Sequence, residues 1–517
     1  MRVRRARPDQ ESAADGQGAA SRGSSLPIVV IGAGMGGLVA ALELAVAGRD
    51  VILCEKAAQP GGKLRQVRLG DAMIDAGPTV LTMRPVFEQI FAHAGADLSA
   101  LLPLRPLEIL ARHVWSGSQA FDLNANPEIS TTAIEAYFGA ASAAGYRRFC
   151  GLSARIYDAL DASFMRMPVP SLPALIARTG ISGLAALRSV SPFASLWTAL
   201  GKNFRDPRLR QLFARYATYS GASPFLAPAT LMLIAHVEQS GVWRIEGGLT
   251  RLATALADLA TAHGAQLRYD SAVEEILIDH GRVDGVRLRG GATIRTDRVI
   301  ANVELGALAA GQFGAAVQTA VAPAARGAKR SLSAVTWQVV ARTRGFALSH
   351  HNVFFSADYP AEFAQIARGA LPDDPTIYLC AQDRQGSATG DEMSGVERML
   401  VLINAPALGD TAPLSELALE GCWRRVIERL DRAGLTLEVE HRGRTDPTGF
   451  AASFPGAGGA LYGRSLDGWR DPFARPPART ALPGLYLAGG SAHPGPGLPM
   501  AALSGRFAAS AVLDDAP

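Results

Sequence analysis

The chain has 517 residues, of which 48% are hydrophobic and 19% charged, with a formal net charge of +4. That length exceeds a single core and calls for two or more domains, while so small a charge excess speaks against nucleic acid as a partner. Cys54, Cys150, Cys380 and Cys422 are scattered without a CxxC pair, which argues against a disulfide framework, a metal site or a dithiol reductase and fits reduced thiols in the cytoplasm.

Residues 1–25 are rich in Ala, Gly, Ser and Arg, and no apolar run follows Arg4 and Arg5. A disordered tail is expected there, not a secretory signal. The first strand covers Ile28–Ile31 and leads into Gly32, Gly34, Met35, Gly36 and Gly37, then a helix. Gly32 permits a tight turn, Gly34 has no side chain to block a pyrophosphate, and Gly37 lets the helix pack on the sheet. The helix start at Met35 and Gly36 then faces phosphates with its partial positive charge. A second strand, Val51–Cys54, ends at Glu55, placed to accept hydrogen bonds from ribose hydroxyls. Strand, glycine turn, helix, strand and acid in this order predict a dinucleotide site. Gly61 and Gly62 follow, where backbone amides approach a phosphate, and Lys63 adds charge.

Residues 100–240 read as mostly helical, with proline joints at Pro168 and Pro170. Between Ala162 and Arg205 there is no Asp or Glu, yet Arg166, Arg178, Arg188, Lys202 and Arg205 are present. Leu172, Leu175, Ile176, Leu184, Leu187, Leu196 and Leu200 are among apolar residues recurring at three- and four-residue steps. An apolar face edged by cations suits an anionic membrane surface, and a buried helical cap over a substrate pocket accounts for it equally. No run of about 20 apolar residues occurs, so no membrane span is expected.

Further along, a turn at 241–248 leads into a helix over 249–263. Short strands are expected at 266–269, 273–279, 283–289, 293–296 and 298–301, with glycines supplying the turns. Strands near 335–341 and 399–402 and a helix near 415–433 follow. A dense glycine-proline turn from Ala488 to Pro499 opens a last helix over 500–513. The expected organisation is a dinucleotide domain from 26–100, 241–305 and 441–517, a helical cap over 101–240 and a substrate domain over 306–440. His236 and Glu238, just before Gly241-Val242-Trp243, are the candidate catalytic pair. Two residues apart on a helix they do not share a face, so at most one points into a site.

The set of Gly32–Gly37, Glu55-Lys56, Gly61-Gly62-Lys63, Asp75-Ala76-Gly77-Pro78-Thr79, Gly241-Val242-Trp243, Gly247-Gly248 and Ala492–Pro499 resembles the bacterial carotenoid desaturases. These are FAD enzymes of the flavin amine-oxidase-like superfamily. The likeness covers nearly the whole chain after Leu26, and Pro499-Met500 favours the branch acting on hydroxyneurosporene or methoxyneurosporene over phytoene desaturases. The resemblance implies an α/β fold: a Rossmann-type FAD-binding domain, an inserted mixed substrate domain and a helical membrane-facing cap. It implies FAD contacts from Gly32, Gly34, Gly37, Glu55, Lys56, Gly62, Lys63, Val273, Gly490, Leu498 and Met500. Met35 and Gly36 join them at the helix start, and Pro78 and Thr79 lie along the isoalloxazine edge. The implied activity is C3–C4 desaturation of acyclic 1-hydroxy or 1-methoxy carotenoids at the inner membrane surface, with a quinone or dioxygen taking the electrons. A multistep phytoene desaturase, a flavin amine oxidase, a carotene isomerase and a non-enzymatic membrane scaffold are the alternatives.

Overall fold

The computed structural model describes residues 26–169, 194–386 and 395–515. The expected tail, 1–25, and the middle of the acid-free basic stretch, 170–193, lie outside the described residues.

One half is built on a five-stranded parallel sheet. Its strands run in the order Leu485–Leu487, Val299–Ala301, Ile28–Ile31, Val51–Cys54 and Gln266–Arg268. Ile28 and Val30 join one apolar core with the helix Met35–Val46, while Val29 and Ile31 join another on the opposite face. Both faces are covered, which is why these strands read as unbroken apolar runs. Ile31 pairs with Cys54 and Ala301, and Ala301 with Leu487, so four carboxyl ends meet at one edge. In open parallel sheets ligands bind at that edge.

The other half carries a seven-stranded mixed sheet. Its order is Leu435–Thr445, Ser333–Gly345, Glu397–Ala405, Ile377–Ala381, His351–Phe354, Ile109–Val114 and Ala120–Asn124. The amphipathic helix Glu416–Arg432 packs on it through Leu419, Cys422, Val426 and Leu430. A layer of helices, including Pro127–Phe138, Ala140–Leu160 and Pro207–Ala214, forms a second core with Phe121, Leu123, Val353 and Phe355.

The stretch 100–240 is less helical than its sequence suggests. Leu104–Pro106, Ile109–Val114 and Ala120–Asn124 are strands, and the last two complete the seven-stranded sheet. Ile109–Val114 is buried at five of its six positions, so it lacks the alternation that marks a half-exposed strand. Elsewhere the elements fall near their expected bounds. Val273–Asp279 is a strand, and the last helix begins at Leu498, where Pro499 occupies the first turn. Leu104–Pro106 pairs with Trp243–Ile245, and Leu104, Trp243 and Ile245 all pack on the core of the first half. No helix among the described residues is long and apolar enough to cross a membrane.

Candidate functional site

The glycine turn after Ile31 sits at the carboxyl edge of the parallel sheet. Gly32 has φ +94°, and a Cβ there would lie 2.8 Å from the Asn302 carbonyl oxygen. A Cβ on Gly37 would lie 2.0 Å from the Gly32 carbonyl, and one on Gly36 2.7 Å from the Gly489 nitrogen. Gly34 forms a bridge with Gly61, and its own Cβ would meet the Asn302 amide. Asn302 Nδ2 donates to the Gly32 carbonyl at 3.0 Å and so holds the turn from below. Three glycine segments thus converge through backbone alone. The amino end of Met35–Val46 opens into this cradle. The amino end of Leu498–Asp514, with Met500 in its first turn, is held against the same helix because Gly505 lets the two chains touch at Gly36.

Side chains complete the cradle. Glu55 is buried, and its carboxylate accepts from Ala33 N at 2.6 Å and Ala57 N at 2.8 Å. Each carboxylate oxygen has two lone pairs, so Glu55 keeps capacity for a ribose hydroxyl. Ser271 N donates to the Glu55 carbonyl, which carries Val273 to the side of Glu55. Lys56 reaches the Ser453 carbonyl on the surface. Lys63, expected to add charge at a phosphate, donates to Glu304 Oε1 at 2.6 Å and to the Leu461 carbonyl at 2.8 Å. Burial alone would raise the Glu304 carboxyl, but Lys63 and Ser491 hold it below the usual carboxylate range. Gly490 has its carbonyl bound by the buried Arg475 at 2.7 Å. Asn302, Glu304 and Arg475 were not singled out from sequence. Only Asn302, next after a strand end, had a positional signal.

The Asp75–Thr79 turn faces the second half. Asp75 Oδ2 accepts from Leu249 N at 2.8 Å, and Gln382 pairs with its backbone in both directions. Burial raises the Asp75 carboxyl. A cavity of about 190 Å³ opens here, lined by Gln66, Asp75, Thr79, Arg244, His350 and Gln382 among others. Thr79 lines it, with Pro78 just before it in the chain, and Thr79 Oγ1 shares a 2.7 Å hydrogen bond with the Tyr378 hydroxyl. Tyr378 in turn meets His351 Nδ1 at 2.8 Å. His350 Nε2 lies 3.8 Å from Cys380 Sγ, whose thiol burial pushes up to about 12.

His236 and Glu238 point apart, as their spacing requires. The His236 ring packs on Tyr157 at 5.0 Å. Glu238 is buried and accepts from Tyr216 at 2.7 Å and Tyr219 at 2.6 Å. Arg215 Nη1 donates to the Tyr219 hydroxyl at 2.9 Å. Burial, with the Glu238 charge, raises both phenols, so they stay protonated and act as donors. The result is one buried ionic cluster inside the helical apolar core. His493 has a structural post: its Nε2 donates to the Met167 and Phe164 carbonyls, and burial lowers its pKa to about 4.

A glycine cradle that side chains would fill, two helix amino ends and an acid at the second strand end fit an adenine-dinucleotide flavin. Comparison with known proteins agrees. Hydroxyneurosporene desaturase of Rubrivivax gelatinosus is 48% identical over 491 residues, covering 94% of this chain and 93% of that protein. The enzyme of the same name from Cereibacter sphaeroides is 46% identical, covering 94% of this chain and 97% of its own. Among solved structures, an oxidoreductase from Methanosarcina mazei superposes with a TM-score of 0.60 at 16% identity, covering 95% of this chain and all of that one. The description "Flavin containing amine oxidoreductase" matches residues 35–513, from the first helix to the last. The cradle therefore lies in an FAD-dependent oxidoreductase fold, and the chain belongs to the flavin containing amine oxidoreductase family.

Proposed function

We propose that this protein is a carotenoid desaturase that introduces the C3–C4 double bond into acyclic 1-hydroxy or 1-methoxy carotenoids. The observation that carries this is the near-half identity to hydroxyneurosporene desaturase across both halves of the chain. The geometry is consistent with it, because a large apolar helical core packs in the half of the molecule that faces the Asp75–Thr79 turn. A carotenoid has no acidic hydrogen, so a hydride and a proton must leave from adjacent carbons. When bound, FAD supplies the hydride acceptor.

The chain's own residues orient, dry and deprotonate. The cradle residues Gly32, Gly34, Met35, Gly36, Gly37 and Gly62 hold the dinucleotide, with Glu55, Lys56 and Val273 at its adenosine end. Lys63 acts through Glu304 and Ser491, which brace the Gly490 turn near Leu498 and Met500. Pro78 and Thr79 would lie along the edge of the bound isoalloxazine. The apolar core that holds Phe213 and Tyr216 excludes water from Glu238. Glu238 takes the proton through Tyr219: the hydroxyl passes its own proton to the carboxylate as it accepts one from carbon. His236, turned toward Tyr157, has no part in this step.

A carotenoid dissolves in lipid, so the enzyme works at the cytoplasmic face of the inner membrane. The acid-free basic sequence from Ala162 to Arg205 supports a peripheral contact with anionic lipid there. A quinone or dioxygen would be the final electron acceptor. The test is incubation of the FAD-loaded protein with 1-hydroxyneurosporene in lipid vesicles. Loss of two hydrogens with a red-shifted spectrum is expected. Conversion of phytoene alone, of an amine alone, or a change of geometry without change of mass would each overturn the proposal.

A further inference from the structure

Cys380 has no second cysteine near it in the chain, so its spacing carries no metal pattern. The fold supplies other donors. His351 and Cys380 are direct partners on the antiparallel strands His351–Phe354 and Ile377–Ala381, and residues opposite each other in such a pair place their side chains on one face. His350 stands just before the strand, and its ring lies 4.6 Å from that of His351. His350 Nε2 is 3.8 Å from Cys380 Sγ. One donor atom from each of the three residues lies within 4.8 Å of the other two, and all three side chains are buried.

Distance and bonding both suit a metal ion. Three atoms no more than 4.8 Å apart sit within about 2.8 Å of a common centre, and zinc bonds to imidazole or thiolate are about 2.0–2.3 Å, so the three need to close by less than about 1 Å. Both imidazoles are held from the Nδ1 side. His350 Nδ1 donates to the Arg384 carbonyl at 2.9 Å, which in the neutral ring leaves Nε2 as a lone pair. His351 Nδ1 meets the Tyr378 hydroxyl at 2.8 Å, and its Nε2 is buried with no hydrogen-bond partner. A hydrogen bond behind the ring is what orients a metal-bound histidine. A thiol with two imidazoles selects zinc or copper over magnesium or calcium. His350 and Cys380 also line the cavity of about 190 Å³, which gives an ion a way in and leaves room for water as a fourth ligand.

We propose that His350 Nε2, His351 Nε2 and Cys380 Sγ form a zinc site, with a cavity water completing the tetrahedron. The sulfur–zinc bond forms as the thiol releases its proton to solvent, and no electrons are transferred. With zinc on Nε2, His351 carries its proton on Nδ1 and donates to the Tyr378 oxygen, so the Tyr378 hydroxyl donates to Thr79. The ion thereby fixes the direction of a hydrogen-bond chain that ends on the Asp75–Thr79 turn. Zinc binding here does not depend on which substrate the protein turns over.

The test uses the full-length, FAD-loaded protein, freed of metal by a chelator and titrated with zinc by calorimetry. One equivalent should bind, and X-ray absorption at the zinc edge should show one sulfur and two imidazole nitrogens around the ion. Cys380→Ser and His351→Gln should each weaken binding by more than about 100-fold, and Tyr378→Phe, which removes only the group behind His351, by about 10-fold. Cys150→Ala, in the helical layer, should leave the affinity unchanged. No stoichiometric binding by the wild type, a coordination shell without sulfur, or an undiminished affinity in Cys380→Ser would each overturn the proposal. The wild-type absorption spectrum decides between these outcomes even where a variant does not fold.

Discussion

The nucleotide cradle and the buried polar cluster lie in one molecule but are built by opposite means. The cradle is backbone: Gly32, Gly34, Gly36 and Gly37 come close to Asn302 and Gly489 because they lack side chains. The cluster is side chains: Arg215, Tyr216 and Tyr219 from one helical turn meet Glu238 from the next helix inside an apolar core. A backbone site tolerates no added atom. A side-chain site tolerates substitution in fold but not in chemistry. The first fits a cofactor common to a large family, and the second is the proposed seat of proton removal.

This contrast can be broken most sharply at Gly37. Gly37→Ala places a methyl 2.0 Å from the Gly32 carbonyl, so the protein should purify without yellow colour or fail to fold. A fully flavinylated Gly37→Ala protein would show that the cradle is less rigid than drawn. Next, Glu238→Gln keeps the shape of the cluster but removes its base. Turnover of 1-hydroxyneurosporene should fall by about 10²-fold with flavin content unchanged. A loss of flavin instead would move Glu238 from chemistry to structure.

Acid should separate the regions again. Burial lowers His350 and His493 from 6.5 to about 4. Both are held neutral in the fold, whereas the unfolded chain binds a proton below its ordinary histidine pKa. Their contribution is therefore complete above pH 6.5 and is lost as pH falls toward 4. Each can account for roughly 3 kcal/mol over that window, measured by urea unfolding at several pH values. Substituting His493 should remove part of the pH dependence.

Lys63→Met should cost about 2 kcal/mol, since Glu304 is left buried beside Ser491 without its cation. It should loosen the Gly490 turn more than the polar cluster. The smallest effect belongs to surface pairs in neither region. Arg444→Ala, which breaks exposed contacts to Glu416 and Glu420, should change stability by less than about 1 kcal/mol. A larger loss in thermal unfolding would mean that the outer sheet edge carries the fold.

Local chemistry made much of this legible in the chain. The glycine turn, Glu55 and the strand Val273–Asp279 are written in contiguous residues whose spacing has one structural solution. The strand Ile109–Val114 was not legible, because burial on both faces erases the period by which a strand is recognised. Neither was Lys63's attachment to Glu304, made across 241 residues of sequence. Glu238 stood out beside Gly241, but its two phenol donors gave no sign, since Tyr216 and Tyr219 look like ordinary core aromatics.

What the sequence determined alone is the cradle, because a tight turn and close backbone approach demand glycine at fixed steps. What only the tertiary structure decided is which polar side chains share the apolar interior. His351 and Tyr378 on neighbouring strands meet Thr79 from a distant turn, Arg215 and Tyr219 on one helical segment meet Glu238 on another, and no pattern along the chain links them. Folding brings them together because each must find a partner once its surroundings exclude water.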